Sequence, residues 1–376
     1  MKPKLEYINS QLKNIRKNNL YRKMCDSKIT GPYITINSKT LINLCSNDYL
    51  GITQPKISNK QNQSSSRLVA GNDNSFRILE EKLAKHKSQE RSLIFPTGYM
   101  ANLGVISSLV GKNDLILSDK LNHASLIEAC KLCNAKLTIF KHNNMSDLIH
   151  KIKTKARRKF IITEGIFSMD GDFSNLNTIS EISEKNNAII ILDDAHGDFV
   201  VGNDGKGTAN YFGVSKKIDV YISSLSKGLG SFGGYVSARK SIIELCINKS
   251  KSFIYTSALP RLLIDDATKR FESNREKNRK KLWKNVKKFS TGLKKIGFIV
   301  NSNSHILPII IGKEKTAIEF GEYLFKNGIF AQPIRYPTVS RNHARIRISI
   351  TARLTNEHIT KSLSVLESAK RKFHLI

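Results

Sequence analysis

Among 376 residues there are five cysteines, eight prolines and one tryptophan, and the 62 lysines and arginines outnumber the 31 acidic residues two to one. Five cysteines without regular spacing do not make a disulfide framework. Cys130 and Cys133 form a C-x-x-C, but with Leu126 and Ile127 they recur at helical spacing, and no second Cys or His pair completes a zinc site. They read as core packing. No apolar run reaches the ~18 residues of a membrane span. The opening MKPKLEYINSQLKNIRKNNL lacks the uninterrupted apolar core of a signal peptide, so cytoplasm is the expected location and no membrane partner is expected. A net charge of +31 is the first signature of a nucleic-acid binder. Here, however, the basic residues are spread along the whole chain and aromatics amount to only 8%, so no nucleic-acid partner is expected. Through one of the densest basic runs, Asn274 to Lys288, and on past its end, the apolar Leu282, Val286, Phe289, Leu293 and Ile296 fall at steps of four and three, an amphipathic helix with a solvated charged face.

What the chain does have is alternation. From Ser92 to Gly234, seven short apolar runs (SLIF, DLIL, LTIF, FIIT, AIIIL, VYIS and YVSA) are separated by helical stretches. This predicts an α/β fold with a mostly parallel seven-stranded sheet covered by helices, and function on the loops at the strands' carboxyl ends. A smaller C-terminal α+β domain is expected to follow. The expected boundaries are 1–40 for an N-terminal helix and short strand, 41–270 for the large domain, and 271–376 for a linking helix and the small domain.

Three of these loops carry chemistry. After VYIS comes SLSKGLGSFGG, which puts Lys227 on a tight turn among small residues, where a bulky ligand can approach the backbone and hydroxyls such as that of Ser224 can hold a phosphate. A lysine so placed can form a Schiff base. After AIIIL stand Asp193, Asp194 and His196. A carboxylate at a strand end can keep a pyridinium nitrogen protonated, and a neighbouring imidazole can bond a phenolic oxygen. In FPTGYMAN, Gly98 opens a helix whose N-terminus suits a phosphate. Asp170 and Asp172 look like a metal pair, but two carboxylates on a turn without further ligands argue against a metal, and none is expected.

Asp193-x-x-His196 followed by Ser224-x-x-Lys227, with LINLCSNDYLG upstream, resembles the α-oxoamine synthase family of pyridoxal-phosphate enzymes, of the aminotransferase fold type I, from about Leu41 to Ile359. The resemblance implies pyridoxal 5'-phosphate bound covalently to Lys227. It places Gly98, Tyr99, Ser168, His196 and Ser224 around the cofactor, and Glu164 beside the site as a support. His123, which alone would read as a core or capping residue, is implied by the resemblance to stack on the pyridine ring, which makes Lys227, His123 and Asp193 the implied catalytic set. Thr256 and Ser257 match a hydroxyl pair that reaches the phosphate of a neighbouring subunit, implying a homodimer.

The segments SRLVAGN and IRYPTV are similar to those of members that join L-alanine to a pimeloyl thioester, on coenzyme A or a carrier protein, with loss of carbon dioxide. Arg335 offers a fork for a distal carboxylate and Thr338 a hydroxyl beside it; with Arg22 and His123 they make the implied substrate set. Glycine with an acetyl thioester, or serine with a long acyl thioester, are the alternatives within the family. Two departures stand out: Ser64 and Ser65 replace glycines before Arg67, and Tyr336 replaces a proline. Arg345 and Arg347 alternate with apolar residues and are expected to face solvent or a carboxylate.

Overall fold

The computed structural model describes residues 6–56 and 64–375. The chain divides into two compact units: one takes the residues up to Ser46, Met169–Gly171 and those from Lys281 onward, and the other takes Asn47–Ser168 and Asp172–Lys280. The N-terminal segment therefore groups with the C-terminal one.

Three strands open the first unit: β1 (Ser27–Thr30), β2 (Tyr33–Ile36) and β3 (Lys39–Asn43). Seven follow in the second unit: β4 (Arg91–Phe95), β5 (Leu115–Asp119), β6 (Lys136–Phe140), β7 (Lys159–Glu164), β8 (Ala188–Asp193), β9 (Val220–Ser224) and β10 (Gly234–Ala238). They coincide with the seven apolar runs. Their order in the sheet is β4-β10-β9-β8-β7-β5-β6. All neighbours from β9 to β6 run parallel, while β10 is antiparallel to both β9 and β4.

The runs are apolar without alternation because both faces are covered. On β7, Phe160 and Ile162 enter one core with Ile191, Ile222 and Val236, while Ile161 enters the other with Leu115, Leu192 and Tyr221. Cys130 and Cys133 lie in the first of these cores. Successive side chains on a strand point to opposite faces, so a sheet buried on both sides requires this composition.

The first unit is completed by β11 (Ile306–Gly312), β12 (Ile329–Phe330), β13 (Pro333–Ile334) and β14 (Ala344–Ser349). These make a three-stranded sheet, β11-β14-β13, and a four-stranded one in which β12 joins β3. Arg345 and Arg347 do not face solvent. They sit on the central strand β14, whose every residue is buried. Arg345 meets the expected carboxylate, that of Asp170, at 2.6 Å, and Arg347 donates to Ser349 Oγ at 2.6 Å. On the helix Glu276–Lys295, Leu282, Val286, Phe289 and Leu293 are buried as the spacing predicts, and Ile296 falls just past its end.

Candidate active site

The parallel strands of the second unit deliver polar groups at their carboxyl ends, where β7 ends on Glu164, β8 on Asp193 and β9 on Ser224. A cavity of about 220 Å³ opens there, walled by Gly98, Tyr99, His123, Asp193, Ser224 and Lys227 among others. The local sequence explains each placement. Thr97 caps the helix Gly98–Leu109, its hydroxyl taking the Met100 N–H at 3.1 Å, and the Gly98 and Tyr99 amides at that helix start are the kind of donors that suit a phosphate. Across from them, Ser224 Oγ and Ser226 Oγ are 2.8 Å apart.

Lys227 Nζ lies 2.9 Å from His196 Nε2, and His196 Nδ1 lies 2.7 Å from the Tyr49 hydroxyl, which donates to Asn47 Oδ1. Asp193 is buried and accepts from Asn102 Nδ2 at 2.7 Å and from the Ala195 amide at 3.0 Å. His123 caps the helix Ala124–Leu132 and stands at the cavity mouth. Partial burial, with the charge of Lys227 adding to it, holds its imidazole below the ordinary range against the pull of Asp193. The neutral ring is the form that can pack on another ring without charge. Glu164 is paired in register with Asp193 and accepts the His123 amide at 2.6 Å. Burial first, and the Asp193 carboxylate second, push Glu164 well above the usual range.

This donor set fits pyridoxal phosphate. It combines an amine for the aldehyde, a carboxylate for the ring nitrogen, hydroxyls and a helix N-terminus for the phosphate, and a buried Asn102 Oδ1 without a hydrogen-bond partner in the cavity wall.

Not every expected residue is brought here. Ser168 is buried and is not among the residues lining the cavity; its amide bonds Glu164, which is. Thr256 and Ser257 follow the short helix Lys251–Ile254 and line a separate small cavity with Arg67 and Phe76. Arg22, Arg335 and Thr338 belong to the other unit, where they do come together: Arg22 Nη2 donates to Thr338 Oγ1 at 3.3 Å, and Arg335 donates to the Asn19 carbonyl. Burial, and then the nearby charge of Arg22, lower the Arg335 guanidinium from its ordinary value. Two adjacent cations of this kind favour a carboxylate between them.

Two groups escaped the sequence reading. Asn102 stands in a helix, where asparagine reads only as a weak helix former, and its partner is 91 residues away. Tyr49 stands in the segment SNDYLG, and only the fold brings His196 to it.

Asp170 and Asp172 have other partners than a metal. Asp170 pairs with Arg345, and Asp172 accepts from His142 Nε2 at 2.8 Å while Asp119 takes His142 Nδ1 at 2.9 Å. Burial alone would disfavour the charged ring, but the two carboxylates outweigh it and push His142 up to about 10. Because the folded value is raised, the stabilisation is complete below about 6.5 and is lost as pH rises through about 10. The melting temperature of the His142→Gln variant is therefore expected to fall below the parent's at pH 6, by the equivalent of about 2 kcal/mol, and to converge on it above pH 10. A constant gap across that range would refute the charged triad.

With this geometry established, comparison with known proteins places the chain. Residues 39–366 match the family described as aminotransferase class I and II, and the chain belongs to that family. Within it, the chain is 38% identical, over 99% of its length and 98% of the relative's, to an 8-amino-7-oxononanoate synthase of Thermoanaerobacter pseudethanolicus. The solved 8-amino-7-oxononanoate synthase of Francisella tularensis is 28% identical and superposes with a TM-score of 0.74, covering 89% of this chain and 99% of that one. A serine palmitoyltransferase of S. paucimobilis, solved with a bound PLP–myriocin adduct, has a TM-score of 0.92 over 99% of both chains. At 24% identity that likeness is one of fold.

Proposed function

We propose that this chain is a pyridoxal-phosphate-dependent C-acyltransferase that condenses L-alanine with a pimeloyl thioester, giving 8-amino-7-oxononanoate for biotin synthesis. The observation that carries the reading is Lys227 Nζ, bonded to His196, on the wall of the same cavity as the buried Asp193 carboxylate. The net reaction joins alanine Cα to the acyl carbon, expels the thiol and releases the alanine carboxylate as carbon dioxide.

Bound pyridoxal phosphate supplies an electron sink for the charge that develops at Cα. The protein's residues do the rest. Lys227 would hold the cofactor through Nζ, and the same atom, as a free amine, would take the Cα proton. Asp193, itself fixed by Asn102 and the Ala195 amide, holds a proton on the ring nitrogen. His123 at the mouth covers one ring face and excludes water. The Arg22 and Arg335 pair with Thr338 takes the distal carboxylate of the acyl chain, a group that acetyl and long alkyl thioesters lack. Ser168 acts through Glu164, which its amide bonds.

The active unit in this reading is a homodimer in the cytoplasm, with Thr256 and Ser257 serving the neighbouring subunit's site. The acyl donor is carried on coenzyme A or on a carrier protein. Both carriers are acidic, and a chain of net charge +31 would steer either. No helix among the described residues is long and apolar enough to cross a membrane.

The test is the absorbance of the purified protein loaded with pyridoxal phosphate, followed during addition of L-alanine, glycine and L-serine in turn. The expected result is a visible band that borohydride abolishes and that alanine perturbs at the lowest concentration. A response led by glycine or serine would move the chain to a sister activity.

A further inference from the structure

The reaction as described leaves a buried charged cluster unused. Directly after Asp193, the side chain of Asp194 enters the protein interior, where Lys87, Asp194 and Asp198 are all essentially inaccessible to solvent. Lys87 Nζ reaches Asp194 Oδ2 at 3.2 Å, Asp198 Oδ1 at 2.7 Å and the Lys206 carbonyl at 2.9 Å. Asp194 also accepts from the Thr208 hydroxyl at 2.7 Å and from its amide at 3.1 Å. Asp198 accepts from His86 at 3.0 Å, from Ser223 Oγ at 2.8 Å and from the Tyr235 hydroxyl.

Ions so deeply buried carry a desolvation cost of several kcal/mol each, and apolar packing of the same volume is often as stable. The chain nevertheless makes room for this cluster. A Cβ on Gly165, Gly197 or Gly207 would come within 2.5, 2.3 and 1.8 Å of an Asp194 carboxylate oxygen. None of the three charged groups lines the cavity. They do tie down both ends of the turn from 193 to 198. At one end the Asp194 amide bonds the Ile222 carbonyl and its side chain holds Lys87 and Thr208; at the other the Asp198 amide returns to the Asp194 carbonyl. Asp193 and His196 both stand on this turn, and Ser223, bonded to Asp198, is on the cavity wall.

We propose that Lys87, Asp194 and Asp198 are positioning residues, a buried ionic clamp that fixes the 193–198 turn so that Asp193 and His196 meet the cofactor in one geometry. A charged network has few alternative arrangements in a low-dielectric interior, because every displaced ion is left unpaired. The proposal rests on reading the cavity as a pyridoxal-phosphate site, and its test separates the two.

The variant is the double replacement Lys87→Met with Asp194→Asn, which removes the cation and one of its two carboxylates and leaves Asp198 held by His86, Ser223 and Tyr235. Circular dichroism and size exclusion establish that it folds. Its dissociation constant for pyridoxal phosphate, read by absorbance titration, is expected to rise at least about tenfold. In the cofactor-free protein, the ring ¹⁵N resonances of His196, assigned with His196→Gln, are expected to shift or broaden as its bonds to Tyr49 and Lys227 loosen. Should the double variant not fold, Thr208→Val removes one hydroxyl donor without touching a charge and is expected to change both readouts in the same direction. Thr208→Ser is expected to restore them. A folded variant with the parent's dissociation constant and the parent's His196 resonances overturns the clamp. If the parent itself takes up no pyridoxal phosphate, the cofactor reading fails, and the His196 resonances alone decide for or against the clamp.

Discussion

Replacing Lys227 with alanine is expected to abolish turnover, by at least about 10³-fold, and to leave no cofactor attached after gel filtration and borohydride treatment. Two functions are deleted at once, the covalent anchor and the base for the Cα proton, and effects of that kind exceed either alone. The fold is expected to survive. Lys227 is only partly buried and lines the cavity, where water can take over its bond to the buried His196, and loss of such a side chain normally changes stability by about 1 kcal/mol or less. An unchanged melting curve alongside lost activity is therefore the expected pair of observations. Recovery of a reducible adduct from Lys227→Ala would mean that one of the other lysines carries the cofactor.

Asp193→Asn is expected to lower kcat/KM by about 10²–10⁴-fold while retaining the cofactor. The replacement is nearly isosteric, but Asn102 and the Ala195 amide donate to different carboxylate oxygens, so the new amide oxygen keeps one of these bonds and the new NH2 group faces a donor at the other. What disappears is the negative charge, and with it the means of keeping a proton on a ring nitrogen. The readout that distinguishes this from simple misfolding is the cofactor's absorbance, which is expected to change in band position and in its pH dependence while far-ultraviolet circular dichroism does not. A variant within about threefold of the parent would show that the charge at this position is not used.

The sheet was legible because burial on both faces leaves a signal that no local context can hide. Each of the seven apolar runs is a strand, from Arg91–Phe95 to Gly234–Ala238. Direction was less legible, since whether β10 runs with or against β9 depends on the path of the loop between them, and apolar content carries no sign. Site residues on strand ends and tight turns, Asp193, Ser224 and Lys227, could be found because their positions are fixed by the elements that carry them. Asn102 and Tyr49 could not, since their meaning lies in partners 91 and 147 residues away. Of the two surroundings expected for Arg345 and Arg347, the carboxylate is found for Arg345 and solvent for neither, for a related reason. Alternation of charged and apolar residues ordinarily marks a half-exposed strand, and here β14 is the middle strand of its sheet with Asp170 supplying a counter-charge.

The loop that bears Lys227 is closed at its base by the ladder pairing Ser224 with Gly234. Within it, the amides of Leu225, Ser231 and Gly230 bond the carbonyls of Gly233, Leu225 and Lys227 at 2.9, 2.9 and 3.0 Å. The segment is thus less a flexible arm than a small stitched knot of backbone. Its loss of conformational freedom is incurred when the sheet forms, not when a ligand arrives. The lysine can then exchange one bonding partner for another by turning about its own side-chain torsions, with the peptide chain beneath it standing still.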